Sequence, residues 1–130
     1  MPVAIDTSVL IHAEKTGGFE HLLPDDNTTY YIPVHAAAEF LIGAHFPKSA
    51  QLRERARRLY EDKFKLLVDL FDEADAAQLA LLISELRKSG QTMGFFDAAI
   101  AATAMARGDS LLALDADFDR LDRQLNLIRI

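Results

Sequence analysis

The sequence contains no cysteine. Neither a disulfide framework nor a thiolate-bound metal centre is therefore available to it, and a reducing, intracellular setting is expected. Long hydrophobic runs are missing too: no apolar stretch approaches the roughly 20 residues that span a bilayer. The opening M-P-V-A-I-D-T-S has no basic region leading into an apolar run, so no signal peptide is expected and the chain is assigned to the cytoplasm. Positive charge is scarce, with 14 Lys and Arg against 20 Asp and Glu, a formal net charge of -6. That balance tells against tight, non-specific nucleic-acid binding, which depends on neutralising many phosphates. The basic residues are nonetheless clustered, with Arg53, Arg55, Arg57 and Arg58 close together and Glu54 and Glu61 interleaved. They form either a solvated helix face or a phosphate-steering patch. Internal repeats, low-complexity tracts, a glycine-rich phosphate loop, a Ser-His-Asp order and zinc-ligand spacing are all absent.

What is present is a chain of 130 residues, 50% apolar and 26% charged, expected to form one domain over residues 1–130. Val3–Ile5 is a short apolar run closed by Asp6, with small oxygen-bearing side chains positioned to cap the helix that follows. Tyr30–Ile32 predicts a second strand, and Pro33 suits the start of a helix carrying Glu39 that Pro47 ends. Ser49 can cap a helix running to about Lys63. Leu66–Phe71 predicts a third strand, and Asp72–Lys88 an amphipathic helix stopped by Gly90. Phe96–Arg107 is Ala-rich and helical, ended by Gly108. Ser110–Leu114 predicts a strand closed by Asp115, Asp117–Gln124 a helical turn, and Leu127–Ile130 a last strand. Short apolar strands alternating with helices, without hairpin signals, predict an α/β fold with a parallel sheet covered on both faces. Ligands of such sheets gather beyond the carboxyl ends of the strands, where Asp6 and Asp115 stand.

Four acids occupy apolar or tightly turned surroundings: Asp6, Glu39, Asp97 and Asp115, with Asp117 beside the last. In H-A-A-A-E-F-L-I-G-A-H-F, Glu39 shares a helical face with Ala36, Phe40, Gly43 and Ala44. Asp97 shares one with Ile100, Ala101 and Ala104. Burying an unpaired carboxylate costs several kcal/mol, a large part of a small domain's stability. Each acid has an ordinary explanation. Asp6 and Asp97 can cap helices, Asp115-Ala116-Asp117 can form an Asx turn, and Glu39 can pair with a buried Arg or Lys. Taken together they suggest one site. Gathered carboxylates repel one another unless a cation neutralises them, and an all-oxygen donor set favours Mg²⁺, then Mn²⁺. Such a cation also bridges an acidic site to an anionic phosphodiester.

The segments V-A-I-D-T-S-V-L-I, E-F-L-I-G, G-F-F-D-A-A-I-A-A-T-A and L-L-A-L-D-A-D-F-D-R-L stand in an order and spacing that resembles the PIN-domain ribonucleases, specifically VapC-type toxins of toxin–antitoxin pairs. The resemblance covers essentially the whole chain. It implies a three-layer α/β/α fold with a central, mainly parallel sheet and Mg²⁺-dependent endonucleolytic cleavage of RNA. It also implies a cognate antitoxin, which commonly presents an Arg to the carboxylates, and a homodimer. Carried over by position, Asp6 and Asp97 would be the principal metal ligands, with Glu39 and Asp115 completing a catalytic quartet. Asp117 would be a fifth acid. Thr7 and Ser8 would hydrogen-bond a carboxylate or a substrate phosphate. Where the family often has Thr two residues before the last acid, this chain has Ala113, which removes one supporting hydroxyl.

His12, His21, His35 and His45 show no ligand geometry with the acids; His35, one turn before Glu39, is the exception to watch. Phe46, Leu52, Leu59 and Tyr60 form either ordinary core or a groove for a partner helix. Two other functions remain open. A Mg²⁺-dependent phosphatase or phosphotransfer domain would want D-x-D-x-T, whereas Asp6 is followed by Thr7-Ser8-Val9. A non-catalytic PIN-like module that binds RNA or protein would not need the full acid set.

Overall fold

A computed structural model of the chain describes residues 2–46 and 49–128. Pro47, expected to end a helix, lies outside these residues, as do the last two residues of the final expected strand. Five parallel strands form one sheet: β1 (Val3–Ile5), β2 (Tyr30–Pro33), β3 (Val68–Asp69), β4 (Ser110–Leu112) and β5 (Asn126–Ile128), in the order β3-β2-β1-β4-β5. Among the described residues five α-helices accompany them: α1 (Thr7–Thr16), α2 (Val34–His45), α3 (Ala50–Leu59), α4 (Glu73–Lys88) and α5 (Phe95–Arg107). The result is a three-layer α/β/α domain, as expected.

β1 is central, and its three residues are all buried. Its neighbours explain why: it pairs with β2 on one side and β4 on the other, Val3 opposite Ser110 and Ile5 opposite Leu112. A parallel strand covered on both faces has no polar side, so an unbroken apolar run is what it requires. The Ala-rich stretch of α5 is buried from Ala98 to Ala104, because a helix of small side chains can lie close against its neighbours. Gly108 ends it at φ 68°, a left-handed conformation that lets the chain turn directly into β4. Asp72 caps α4 in a reciprocal capping box with Asp75, an arrangement worth about 1 kcal/mol.

Two expectations need correction. The third strand is not Leu66–Phe71 but Val68–Asp69, preceded by a 3₁₀ turn over Lys65–Leu67. Leu66 and Leu70 are 89% and 75% exposed. β3 is a sheet edge with one neighbour, so its apolar run is not a record of burial. The stretch after α3 continues as a π-helical turn, Tyr60–Phe64. Smaller shifts also occur: Pro33 closes β2 rather than opening α2, β4 stops at Leu112, and the turn before β5 is a 3₁₀ turn at Asp119–Leu121.

Candidate active site

The sheet order places a topological switch point between β1 and β4, where the connections leave in opposite directions and open a crevice at the strands' carboxyl ends. Asp6 follows β1 directly, and Asp115 lies three residues beyond β4. α2 begins where β2 ends, and α5 runs down to enter β4, so the first turns of both helices border the same crevice. Asp97 lies in the first turn of α5, and Glu39 in the second turn of α2.

Asp6 is 1% exposed. Its Oδ2 accepts from the Ser8 amide at 3.1 Å and the Ser8 hydroxyl at 2.6 Å, so it does cap α1. Its Oδ1 is buried with no hydrogen-bond partner. Capping therefore accounts for one oxygen and leaves the other unexplained. Burial pushes the carboxyl up to about 6, against the Ser8 hydrogen bonds, which pull it down. The Ser8 hydroxyl also accepts the Leu114 amide at 2.9 Å, while the Asp6 amide donates to the Leu112 carbonyl at 3.0 Å. The first acid is thus clasped to the segment that delivers Asp115.

Asp97 sits in the first turn of α5 but does not cap it; the cap is Gly94, and no side chain closes that end. Burial, then the nearby charges of Asp6, Asp117, Glu39 and Asp115, push its carboxyl up to about 7. Asp115 is raised in the same direction, by burial and then by Asp117, Glu39 and Asp119, although its own Oδ1 accepts the Asp117 amide at 3.2 Å in the expected Asx turn. The charges of Asp6, Glu39, Asp115 and Asp117 therefore all bear on Asp97. Among the described residues Glu39 has no ion-pair partner, so the buried Arg or Lys that would explain it is not there. Its helix buries Ala36, Ala37 and Phe40, whereas Gly43, expected on that face, is exposed.

Thr7 is buried, and its hydroxyl donates to the Ala36 carbonyl at 3.5 Å, tying the start of α1 to α2. Of the two roles open to Thr7 and Ser8, the hydrogen bond to a carboxylate is made by Ser8, which is part-buried. Ala113 is buried. His35 packs among Phe71, Phe95 and Phe96, with ring centroids 4.6, 5.6 and 6.4 Å away. Its imidazole is held toward the neutral form by burial. His12 lies against His21 at 5.7 Å. In the arginine cluster, Arg57 and Arg58 both bind Glu54, and Arg55 donates to the Glu14 carbonyl. Glu61 pairs instead with Lys65. Leu59 and Tyr60 pack on the core, which leaves Phe46 and Leu52 as the exposed members of the expected groove.

No three of the described acids and histidines already converge on one point as a closed cage. The donor set nonetheless fits a hard divalent cation: only oxygens are offered, one of them a buried orphan, and neighbouring carboxylates resist ionising together. Mg²⁺ is commonly held by one or two carboxylates, with waters and substrate phosphates completing its shell.

The open parallel sheet with acids gathered at its switch point defines an α/β domain with an acidic crevice. The PIN domain model matches residues 3–124, and the chain belongs to the PIN-domain family. Among solved structures it is similar to one chain of VapBC-5, a toxin–antitoxin system member from Mycobacterium tuberculosis. That match has 26% identity and a TM-score of 0.79, covering 100% of this chain and 98% of that one. VapBC2 from Rickettsia felis, bound to a promoter DNA fragment, matches with 21% identity, TM-score 0.79 and the same coverages. FitAcB from Neisseria gonorrhoeae matches with 21% identity and TM-score 0.73, over 97% of this chain and 96% of that one. No curated protein sequence matches at a significant level.

Proposed function

We propose that the chain is a divalent-cation-dependent endoribonuclease, the toxin of a VapBC-type pair. The observation that carries this reading is the orphaned Oδ1 of Asp6, buried within reach of the charges of Asp97 and Asp115. Membership in the PIN family and likeness to VapBC complexes support it. Mg²⁺, or Mn²⁺ in its place, would supply positive charge for a scissile phosphate and acidify a water. Asp6 and Asp97 would hold the ion. Glu39 and Asp115 would orient the attacking water and take its proton on a carboxylate oxygen. Asp117 supports Asp115 through their shared turn, and Ser8 fixes Asp6. Thr7 holds α2, and hence Glu39, in place. The same site is where an antitoxin would present a cation of its own; an arginine fork suits paired carboxylates. Homodimer formation and cytoplasmic action belong to this reading as well.

The test is cleavage of total cellular RNA by the purified protein in Mg²⁺, Mn²⁺ or EDTA, beside Asp6→Asn. Discrete fragments that vanish with EDTA and in the variant are expected. A folded protein that leaves every RNA intact in both metals overturns the reading.

A further inference from the structure

A cavity of about 250 Å³ lies between the end of α4 and the start of α5, lined by Ile83, Leu86, Arg87, Gln91, Met93 and Phe95 among others. Sites that enclose drug-sized ligands run to roughly 300–1,000 Å³, so this one has room for a single ring system. Its lining combines an apolar floor with one cation and an amide. Phe95 is one of the lining residues and stands in the same first turn of α5 as Asp97, two residues before it. Phe95 is 57% exposed. It makes edge contacts with His35 at 5.6 Å and Phe96 at 6.0 Å. Arg87 has no ion-pair partner among the described residues. Arg120 donates to the Thr92 carbonyl and braces the loop that forms the cavity's wall.

An exposed aromatic face is a surface on which an unpaired base can stack. We infer that this cavity is a nucleobase subsite: a base of the RNA strand flanking the scissile phosphate stacks on Phe95, and Arg87 takes a neighbouring phosphate. The inference rests on the ribonuclease reading and names how that site grips an unpaired strand. The chain's net charge of -6 makes such a subsite useful, because stacking attracts RNA where the overall field repels it.

The probe is a pool of random single-stranded hexaribonucleotides, each with one 2-aminopurine, titrated in Ca²⁺ in place of Mg²⁺ so that binding is read by fluorescence. Phe95→Leu keeps the apolar bulk and removes the ring; it is expected to weaken binding about 5- to 100-fold and abolish the stacking signal, with an unchanged melting temperature. Phe95→Trp is expected to restore both. Arg87→Gln is expected to flatten the salt dependence by about 0.7 in slope, the value for one phosphate on a single strand. Wild-type binding that Phe95→Leu leaves intact overturns the subsite while the nuclease reading stands. Loss of antitoxin binding with RNA binding unchanged also overturns it and makes the cavity a protein contact. Failure of the wild type to bind or cut any RNA overturns both.

Discussion

Asp6 and Asp75 are equally buried, each 1% exposed, and each has one oxygen engaged near a helix start and one buried oxygen without a partner. Their surroundings differ in one respect. The Oδ2 of Asp75 receives Arg107 at 3.1 Å. The same guanidinium binds Asp69 at 2.8 Å and the Leu70 carbonyl at 2.7 Å, and stacks 5.0 Å above Tyr31, whose hydroxyl donates to Asp109. Around Asp75 the chain supplies its own cation, and the result is a latch between α5, α4 and the edge strand. Beside Asp6 the neighbouring charge is the Asp115 carboxylate, and among the described residues no arginine or lysine pairs with it. The difference between the two buried acids is therefore the arginine, since both keep one oxygen without a partner.

The comparison can be broken at either end. Asp6→Asn or Asp97→Asn is expected to lower RNA cleavage by on the order of 10²–10³-fold or more, with the fold retained by circular dichroism. Arg107→Gln should leave activity per folded molecule intact but strand Asp75, lowering stability by about 3 kcal/mol, or roughly 10 °C in Tm. Thermal unfolding separates the two outcomes.

Proton linkage sharpens the contrast. Asp6 and Asp97 have folded-state values of about 6 and about 7, above the ordinary 3.8. The folded state therefore binds protons that the unfolded chain has already released. Their contribution to folding is full below about pH 4 and is lost progressively as the pH rises through 6 and 7. Metal-free protein should become less stable between pH 5 and 8. Discounted for the partial exposure of Asp97, the fall is about 1–2 kcal/mol. Asp97→Asn, or added Mg²⁺, should flatten the profile; a metal-free protein that gains stability over that range contradicts the repulsion. Ser8→Ala should cost about 1 kcal/mol and speed exchange of the Leu114 amide, since it removes a hydroxyl that bridges two elements. The smallest effect is expected for Arg57→Gln, whose exposed pairing with Glu54 should leave Tm within experimental scatter.

Local chemistry made much of this legible in the sequence. The burial of β1 follows from three apolar residues before an acid, the start of α4 from Asp72 with Asp75 three residues on, and the end of α5 from Gly108. The acids stood out because carboxylates do not belong on apolar faces. What escaped was set by partners far along the chain. Leu66 and Leu70 look like core until the sheet order makes β3 an edge. The Arg107 latch joins residues more than thirty positions apart, and the Ser8 clasp joins residues 106 apart. Thr7, beside the first acid, gives no hint that its hydroxyl faces Ala36.

The most direct measurement is calorimetric titration of Mg²⁺ into the metal-free wild type, Asp6→Asn and Asp69→Asn at pH 7.5. Saturable binding in the wild type and Asp69→Asn, lost in Asp6→Asn, is the result expected if the uncompensated acids form the cation site. Equal binding by all three proteins, or none by the folded wild type at millimolar Mg²⁺, would contradict it.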